Sequence, residues 1–260
     1  MIVNKIKKVN ILEIPFVAGN LEDVLNEIKR ILYLPEKKSL YICATSVHGV
    51  IEAQNDPYLK KILVNAFMNV PDGRPLVKVG RSLGANGMEQ IRGPELLPAV
   101  CEMTANMDVL HFFYGGKEGV AEHLAKVLCK RFPGLKVAGT YCPPFRPLNE
   151  KEKREVIELI NNSKTDIVWV GLSTPKQEKW MWEFAPCLKV KLLFSVGAAF
   201  DFHTGNIKEC PDFIRKLYLE WFFRLINEPK RLWKRYFKIV PSFIVWSSVE
   251  ILRYKLKKGG

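Results

Sequence analysis

Short apolar runs rich in β-branched and aromatic residues recur through the first two-thirds of the chain, at Ser39–Ala44, Ala66–Val70, Val109–Tyr114, Lys136–Thr140, Asp166–Gly171 and Leu192–Val196. Segments with helical spacing separate them. One begins near Val47, one follows Pro71-Asp72-Gly73, one covers Glu118–Arg131 and one opens at Ser173-Thr174-Pro175. Strand runs that alternate with helical segments predict an α/β fold, a parallel sheet with helices on both faces. Ligands of such sheets bind beyond the carboxyl ends of the strands. The loops that matter are therefore Thr45–Gly49, Pro71–Gly73, Gly115–Gly116, Gly171–Gln177 and Gly197–Gly205.

From about Pro211 the pattern changes. Strands disappear, and aromatic and basic residues crowd together. Twelve basic side chains face four acidic ones in this stretch, so it carries +8 of the chain's formal +13. This divides the chain into a core, residues 1–210, and a helical appendage, residues 211–260. Pro229 suits the first turn of a helix, with Asn227 as a cap. Beyond it Lys230, Arg231, Lys234, Arg235 and Lys238 share one helical face, and Leu232, Trp233, Tyr236, Phe237 and Val240 share the opposite one. Such a helix lies in a membrane interface above anionic lipid, or packs its apolar face on the core, or does both. Nucleic acid is not an expected partner, because no recognised DNA or RNA module accompanies the charge.

No apolar run is long enough to span a bilayer: Ile239–Ser248 is short and contains Pro241. Lys5, Lys7, Lys8 and Glu13 interrupt the N-terminal region, so no signal peptide is expected. The six cysteines form no C-x-x-C pair and read as thiols in a reducing compartment.

Several loops carry candidate chemistry. Asp72, between a strand and a helix, reads as a helix cap or as a general base, and local sequence alone favours the cap. Thr174-Pro175-Lys176-Gln177 has capping-box spacing, and the same helix start with Lys176 beside it suits a phosphate. Gly115-Gly116 matches a dinucleotide loop weakly, and a tight turn explains it equally well. Asp201 sits between Phe200 and Phe202 and calls for a polar partner. His48, His111, His123 and His203 form no zinc pattern, and no D-x-D occurs, so neither metal nor cofactor is expected.

A series of motifs runs in order along the chain: Thr45-Ser-Val-His-Gly with Glu52-Ala-Gln, Pro71-Asp-Gly-Arg-Pro-Leu-Val, Arg92-Gly-Pro-Glu-Leu, Phe112-Phe-Tyr-Gly-Gly, Phe132-Pro-Gly-Leu and Pro143-Pro-Phe-Arg-Pro-Leu. It continues with Val170-Gly-Leu-Ser-Thr-Pro-Lys-Gln-Glu-Lys-Trp, Val196-Gly-Ala-Ala-Phe-Asp-Phe-His-Thr-Gly and Leu219-Glu-Trp-Phe-Phe-Arg-Leu. Together these resemble the TagA/WecG/CpsF bacterial glycosyltransferases over nearly the whole chain.

The resemblance implies a Rossmann-like core and a membrane-associating helical appendage. It implies inverting, metal-independent transfer from a UDP-sugar to a polyprenyl-diphosphate-linked sugar. The familiar case adds N-acetylmannosamine to undecaprenyl-diphosphate-linked N-acetylglucosamine for teichoic acid, and other members use related hexoses or uronic acids for exopolysaccharides. Such an enzyme is expected in the cytoplasm, peripheral on the inner face of the cell membrane, and a homo-oligomer is compatible with it.

By position Asp72 matches the family's proposed base, and Thr45 and Gln177 match substrate-cleft positions. His48, Arg92, Lys176 and Asp201 join the expected substrate-binding set. Arg224 and Arg231 match appendage arginines placed to meet the diphosphate. The third of that group is Lys234, which keeps the charge without the bidentate fork. Gln90 stands where many relatives have Arg, with Arg92 two residues later, and Val47-His48 replaces an Asn-Pro or Asn-Ala pair. The rival reading is a non-catalytic, membrane-docking nucleotide-binding protein, which has no need of a carboxylate at position 72.

Overall fold

The computed structural model describes residues 6–207, 210–211, 214, 220–227 and 229–259 of the 260. An antiparallel hairpin, β1 (Lys8–Ile11) and β2 (Ile14–Val17), precedes α1 (Leu21–Leu32). Then come β3 (Leu40–Thr45), α2 (Val47–Asn55), α3 (Pro57–Val64), β4 (Met68–Pro71), α4 (Arg74–Ser82) and α5 (Gly93–Thr104). The alternation continues with β5 (Leu110–Gly115), α6 (Val120–Arg131), β6 (Lys136–Tyr141), α7 (Glu150–Asn162), β7 (Ile167–Gly171), α8 (Lys176–Phe184), β8 (Leu192–Ser195) and α9 (Ala199–His203). Two further helices follow, α10 (Glu220–Asn227) and α11 (Pro229–Gly259).

Strands β3 to β8 form one parallel sheet in the order β4-β3-β8-β7-β5-β6, each at the run that the sequence pattern marks. Both faces are buried, which is why the strands read as nearly continuous apolar runs. Alternation along each strand sorts the side chains. Tyr41, Cys43, Phe112, Tyr114, Val168, Val170 and Leu193 face α2, α3, α7 and α8. Ile42, Ala44, Phe113, Ile167, Trp169, Leu192 and Phe194 face α1, α5, α6 and α9. Several helices begin where local chemistry dictates. Asn20 and Asp23 form a capping box at α1, Asn149 and Glu152 form one at α7, and Asp56 caps α3 ahead of Pro57.

The β1–β2 hairpin is an element that the pattern does not predict. Its turn residues Leu12 and Glu13 both take positive φ, 49° and 68°, without the Gly or Asn that normally marks such a turn. Tertiary bonds hold it instead: Gln54 of α2 donates to the Leu12 carbonyl, and the Leu12 N–H donates to the Glu250 carboxylate of α11.

Helix α11 runs unbroken for 31 residues through Pro241. Ile239, Phe243 and Ser247 are buried against the core, with Trp246, Ile251 and Tyr254 packed beside them. Its contacts fall on α2 and α4. The appendage set apart by composition at Pro211 is thus joined to the core by packing. No helix among the described residues is long and apolar enough to cross a membrane.

Between the sheet and α5 lies a fully buried histidine. Trp169 donates its indole N–H to His111 Nδ1 at 3.0 Å, which leaves Nε2 to donate to the Thr104 hydroxyl at 2.9 Å. Desolvation pushes the His111 pKa down to about 4, against a weaker opposing pull from Asp166. The neutral ring is the folded form, so its contribution to stability is complete above about pH 6.5 and is lost as the pH falls toward 4. We expect His111→Gln to remove this dependence. Urea titrations of both proteins at pH 7 and pH 4.5 should show the parent losing about 2 kcal/mol more than the variant. Equal losses would show that His111 does not titrate with unfolding.

Candidate active site

The order β4-β3-β8-β7 puts the topological switch between β3 and β8. Helix α2 leaves β3 over one face of the sheet, and α9 leaves β8 over the other. A crevice opens at their carboxyl ends, where such folds bind ligands.

On one side of the crevice stands Asp72. It is not the cap of its own helix: Gly73 occupies that position and makes no side-chain capping bond. Its carboxylate Oδ1 instead accepts the N–H of Gly93, the first residue of α5, at 3.0 Å. A negative charge there complements the positive end of that helix dipole. The backbone around Asp72 is fastened on both sides. Its N–H donates to the Thr45 carbonyl at 3.0 Å, and Gln90 Nε2 donates to the Asp72 carbonyl at 3.0 Å. Gln90 Oε1 accepts from Arg74 Nε at 3.3 Å. Gly93 has to be glycine, since a Cβ there would lie 2.6 Å from the Val196 carbonyl at the end of β8.

Thr45 and Arg92 support this corner from within. Thr45 is buried and donates to Asn69 Oδ1 at 3.3 Å. Arg92 is also buried and meets Glu95 at 3.1 Å. His203 Nε2 lies 2.8 Å from the Pro94 carbonyl, tying α9 to the start of α5. Asp201, on α9, has the partner its setting calls for, with Asn206 donating to it at 3.3 Å.

The loop after β7 forms another wall. Thr174 does not cap α8; Pro175 takes that position and makes no side-chain capping bond, so the capping box suggested by spacing does not form. The Thr174 hydroxyl is drawn instead to Glu178, one turn on, at 3.0 Å. Gln177 is buried, and its Oε1 accepts the Gly197 N–H at 3.1 Å, joining the loop after β7 to the loop after β8. Lys176 is exposed, with its ammonium 4.9 Å from the ring centre of the fully exposed Phe145. Gly115 and Gly116 make a tight turn at φ 119° and 77°, pressed against Gly171.

A cleft of about 310 Å³ lies between α2, the β7–α8 loop and α11, lined by His48, Glu52, Thr174, Pro175, Lys238 and Ile239. His48 Nε2 sits 3.7 Å from Glu52. Arg224 falls on α10, and Arg231 and Lys234 fall on α11. The side chains of these three lie outside the described residues. No group of three or more His, Cys, Asp or Glu among the described residues is arranged to hold a metal ion.

Sequence reasoning missed Glu178, the Gln90 clamp and Lys238. Glu178 had a readable signal: it shares the inward face of α8 with Gln177, Trp180, Met181 and Phe184, so a charged residue type falls on a buried stripe.

Helix N-termini at the switch point of a parallel α/β sheet suit anionic, phosphate-bearing ligands, and here a fixed carboxylate stands beside them. The family model described as the glycosyl transferase WecG/TagA/CpsF family matches residues 9–258, and the chain belongs to that family. It is therefore a glycosyltransferase, and the non-catalytic reading is set aside. The chain is 28% identical over 232 residues to the N-acetylglucosaminyldiphosphoundecaprenol N-acetyl-beta-D-mannosaminyltransferase of Bacillus spizizenii, covering 89% of this chain and 87% of that protein. Proteins of the same name in Bacillus subtilis and Staphylococcus aureus are 26% and 25% identical, over 87% and 97% of this chain and 86% and 96% of theirs.

The Gln90 clamp has a measurable consequence. Gln90→Ala removes the bond to the Asp72 carbonyl and the bond from Arg74. One such hydrogen bond contributes about 0.5–1.5 kcal/mol. Turnover should fall about three- to tenfold in a sugar-transfer assay, with the far-UV spectrum unchanged. Parental turnover would show that the Asp72 loop does not depend on this clamp.

Proposed function

We propose that this protein transfers a sugar from a UDP-linked donor to a polyprenyl-diphosphate-linked sugar, with inversion and without a metal ion, and that Asp72 is the general base. The observation that carries the reading is the Asp72 carboxylate at the switch point, which accepts the Gly93 N–H while Thr45 and Gln90 hold the Asp72 backbone. Asp72 removes the proton of the acceptor hydroxyl as its oxygen attacks the anomeric carbon and the bond to UDP breaks. The departing diphosphate charge needs cations and helix N-termini nearby. Lys176 at the start of α8 and Arg224, Arg231 and Lys234 of the appendage are assigned to that work. His48, Arg92, Gln177 and Asp201 complete the substrate-binding set, Arg92 and Gln177 from buried positions behind the crevice wall. The names of the relatives make N-acetylmannosamine the first donor and undecaprenyl-diphosphate-linked N-acetylglucosamine the first acceptor to test.

Asp72→Asn tests the base. Asn keeps an oxygen for the Gly93 N–H, so the fold is retained. Loss of a general base costs about 10²- to 10⁴-fold in rate. UDP release with UDP-N-acetylmannosamine and a short-chain lipid-diphosphate acceptor should fall by that factor. Turnover within about fivefold of the parent, far short of that factor, would remove Asp72 from the role.

The acceptor is lipid-linked, and α11 is suited to reach it on the inner face of the membrane. Opposite the residues packed on the core, Trp233, Phe237, Val240, Ile244, Val245, Leu252 and Leu256 are exposed, Phe237 by 82%. Lys238, Arg253, Lys255, Lys257 and Lys258 accompany this stripe. An apolar stripe flanked by lysine and arginine lies in the interface of an anionic bilayer. Burying one phenylalanine contributes about 1.5–3 kcal/mol. Phe237→Ser should therefore weaken binding to phosphatidylglycerol vesicles about tenfold or more in a sedimentation assay, leaving thermal unfolding unchanged. Undiminished vesicle binding would place the membrane contact elsewhere.

A further inference from the structure

Glu178 is fully buried under the loops after β7 and β8, and the chemistry proposed above does not use it. Its Oε1 gathers three uncharged donors: Gln177 Nε2 at 2.9 Å, the Thr174 hydroxyl at 3.0 Å and the Ser195 hydroxyl at 3.5 Å. Its Oε2 is buried and has no hydrogen-bond partner among the described residues. No cation among the described residues forms an ion pair with it. The titratable neighbour is the Cys43 thiol on β3, itself buried and pushed upward in pKa by desolvation. A carboxylate in such a place would leave half its charge on an oxygen that nothing solvates, at a cost that buried charges avoid by taking up a proton.

We propose that Glu178 is a positioning residue held as the neutral acid, with its proton on Oε2 and its carbonyl oxygen Oε1 setting the orientation of the Gln177 amide. Gln177 has two ends. Because Glu178 Oε1 accepts from the Nε2 end, the oxygen end must face Gly197 and accept its N–H. Gly197, at φ 57°, opens the loop into α9, which carries Asp201. One neutral acid therefore fixes the relation between two walls of the crevice. Desolvation, the largest influence on Glu178, raises its pKa against the bonds from Gln177, Thr174 and Ser195, in keeping with the uncharged form.

The proposal names a specific mimic. In Glu178→Gln the amide oxygen can take the place of Oε1 and the NH2 that of the protonated Oε2, whereas Glu178→Ala removes the acceptor. The first measurement is an infrared difference spectrum, parent minus Glu178→Gln, at pH 7. A protonated-carboxyl C=O band in the parent is the expected result; carboxylate bands in its place would overturn the proposal. This reading needs no substrate, so it stands apart from the sugar-transfer reading on which the second measurement rests. In the UDP-release assay Glu178→Ala should raise the donor KM about tenfold or more, with a smaller effect on kcat, as a buried donor left unpaired costs about 1–3 kcal/mol. Glu178→Gln should restore KM to within about threefold of the parent, a gap of less than 1 kcal/mol. A Gln variant as impaired as the Ala variant, with both folded by circular dichroism, would show that orientation by a neutral acid is not what Glu178 supplies. If the parent releases no UDP with any donor offered, the sugar-transfer reading fails and the infrared result alone decides the state of Glu178.

Discussion

Parallel pairing is the constraint on which the rest of this molecule depends. Each strand must return to the same edge before the next begins, so every crossover spans the sheet and all the strand ends that carry polar loops collect along one rim. The adjacent strands β3 and β8 have their following helices on opposite faces, so the rim parts at that point. Asp72, Thr45, Gln177, Gly197 and Asp201 come from five separate loops and elements, and what they share is this opening. Gly93 shows how closely the parts are drawn together, because the start of α5 meets the end of β8 with no room for a methyl group.

Several polar groups in the core are satisfied by one another without charge. His111 is neutral between Trp169 and Thr104, and Asn69 spans from Thr45 to the carbonyls of Pro15 and Leu63. Charges are placed differently. Asp72 lies at a helix N-terminus, Asp56 pairs with Lys179, and Lys176 stands out in solvent beside Phe145. A charge at the rim held by fixed hydrogen bonds makes stronger electrostatic contacts than in water without the loops having to reorganise.

Helix α11 links this rim to an exposed apolar surface. One side of it, from Ile239 through Phe243 and Ser247 to Glu250, is bound to the core and to the β1–β2 turn. The other side exposes a long apolar stripe. Lys238 and Ile239 line the cleft beside His48 and Thr174, so the helix that presents the stripe also forms a wall next to the crevice. Burial raises the Glu250 pKa, and its carboxyl accepts the Leu12 N–H through both oxygens. One helix thus carries both the exposed stripe and a wall of the cleft.

The sequence by itself determined the six sheet strands, the parallel α/β class, the rim loops and the basic, aromatic tail, because each is written in local periodicity and composition. Leu110–Gly115 and Ile167–Gly171 are apolar enough to be buried on both faces wherever they pair, and Asn20 and Asn149 start helices through bonds to residues three positions away. What Asp72, Thr174 and Glu178 do could not be read the same way. Local spacing makes Asp72 and Thr174 helix caps, yet one bonds to a residue 21 positions on and the other turns to a buried acid. The β1–β2 turn was equally hidden, since Leu12 holds its backbone through partners 42 and 238 positions away. Only the tertiary structure decided these roles, because a polar side chain takes the partner that burial brings to it, and that partner comes from whichever distant segment the sheet order sets alongside.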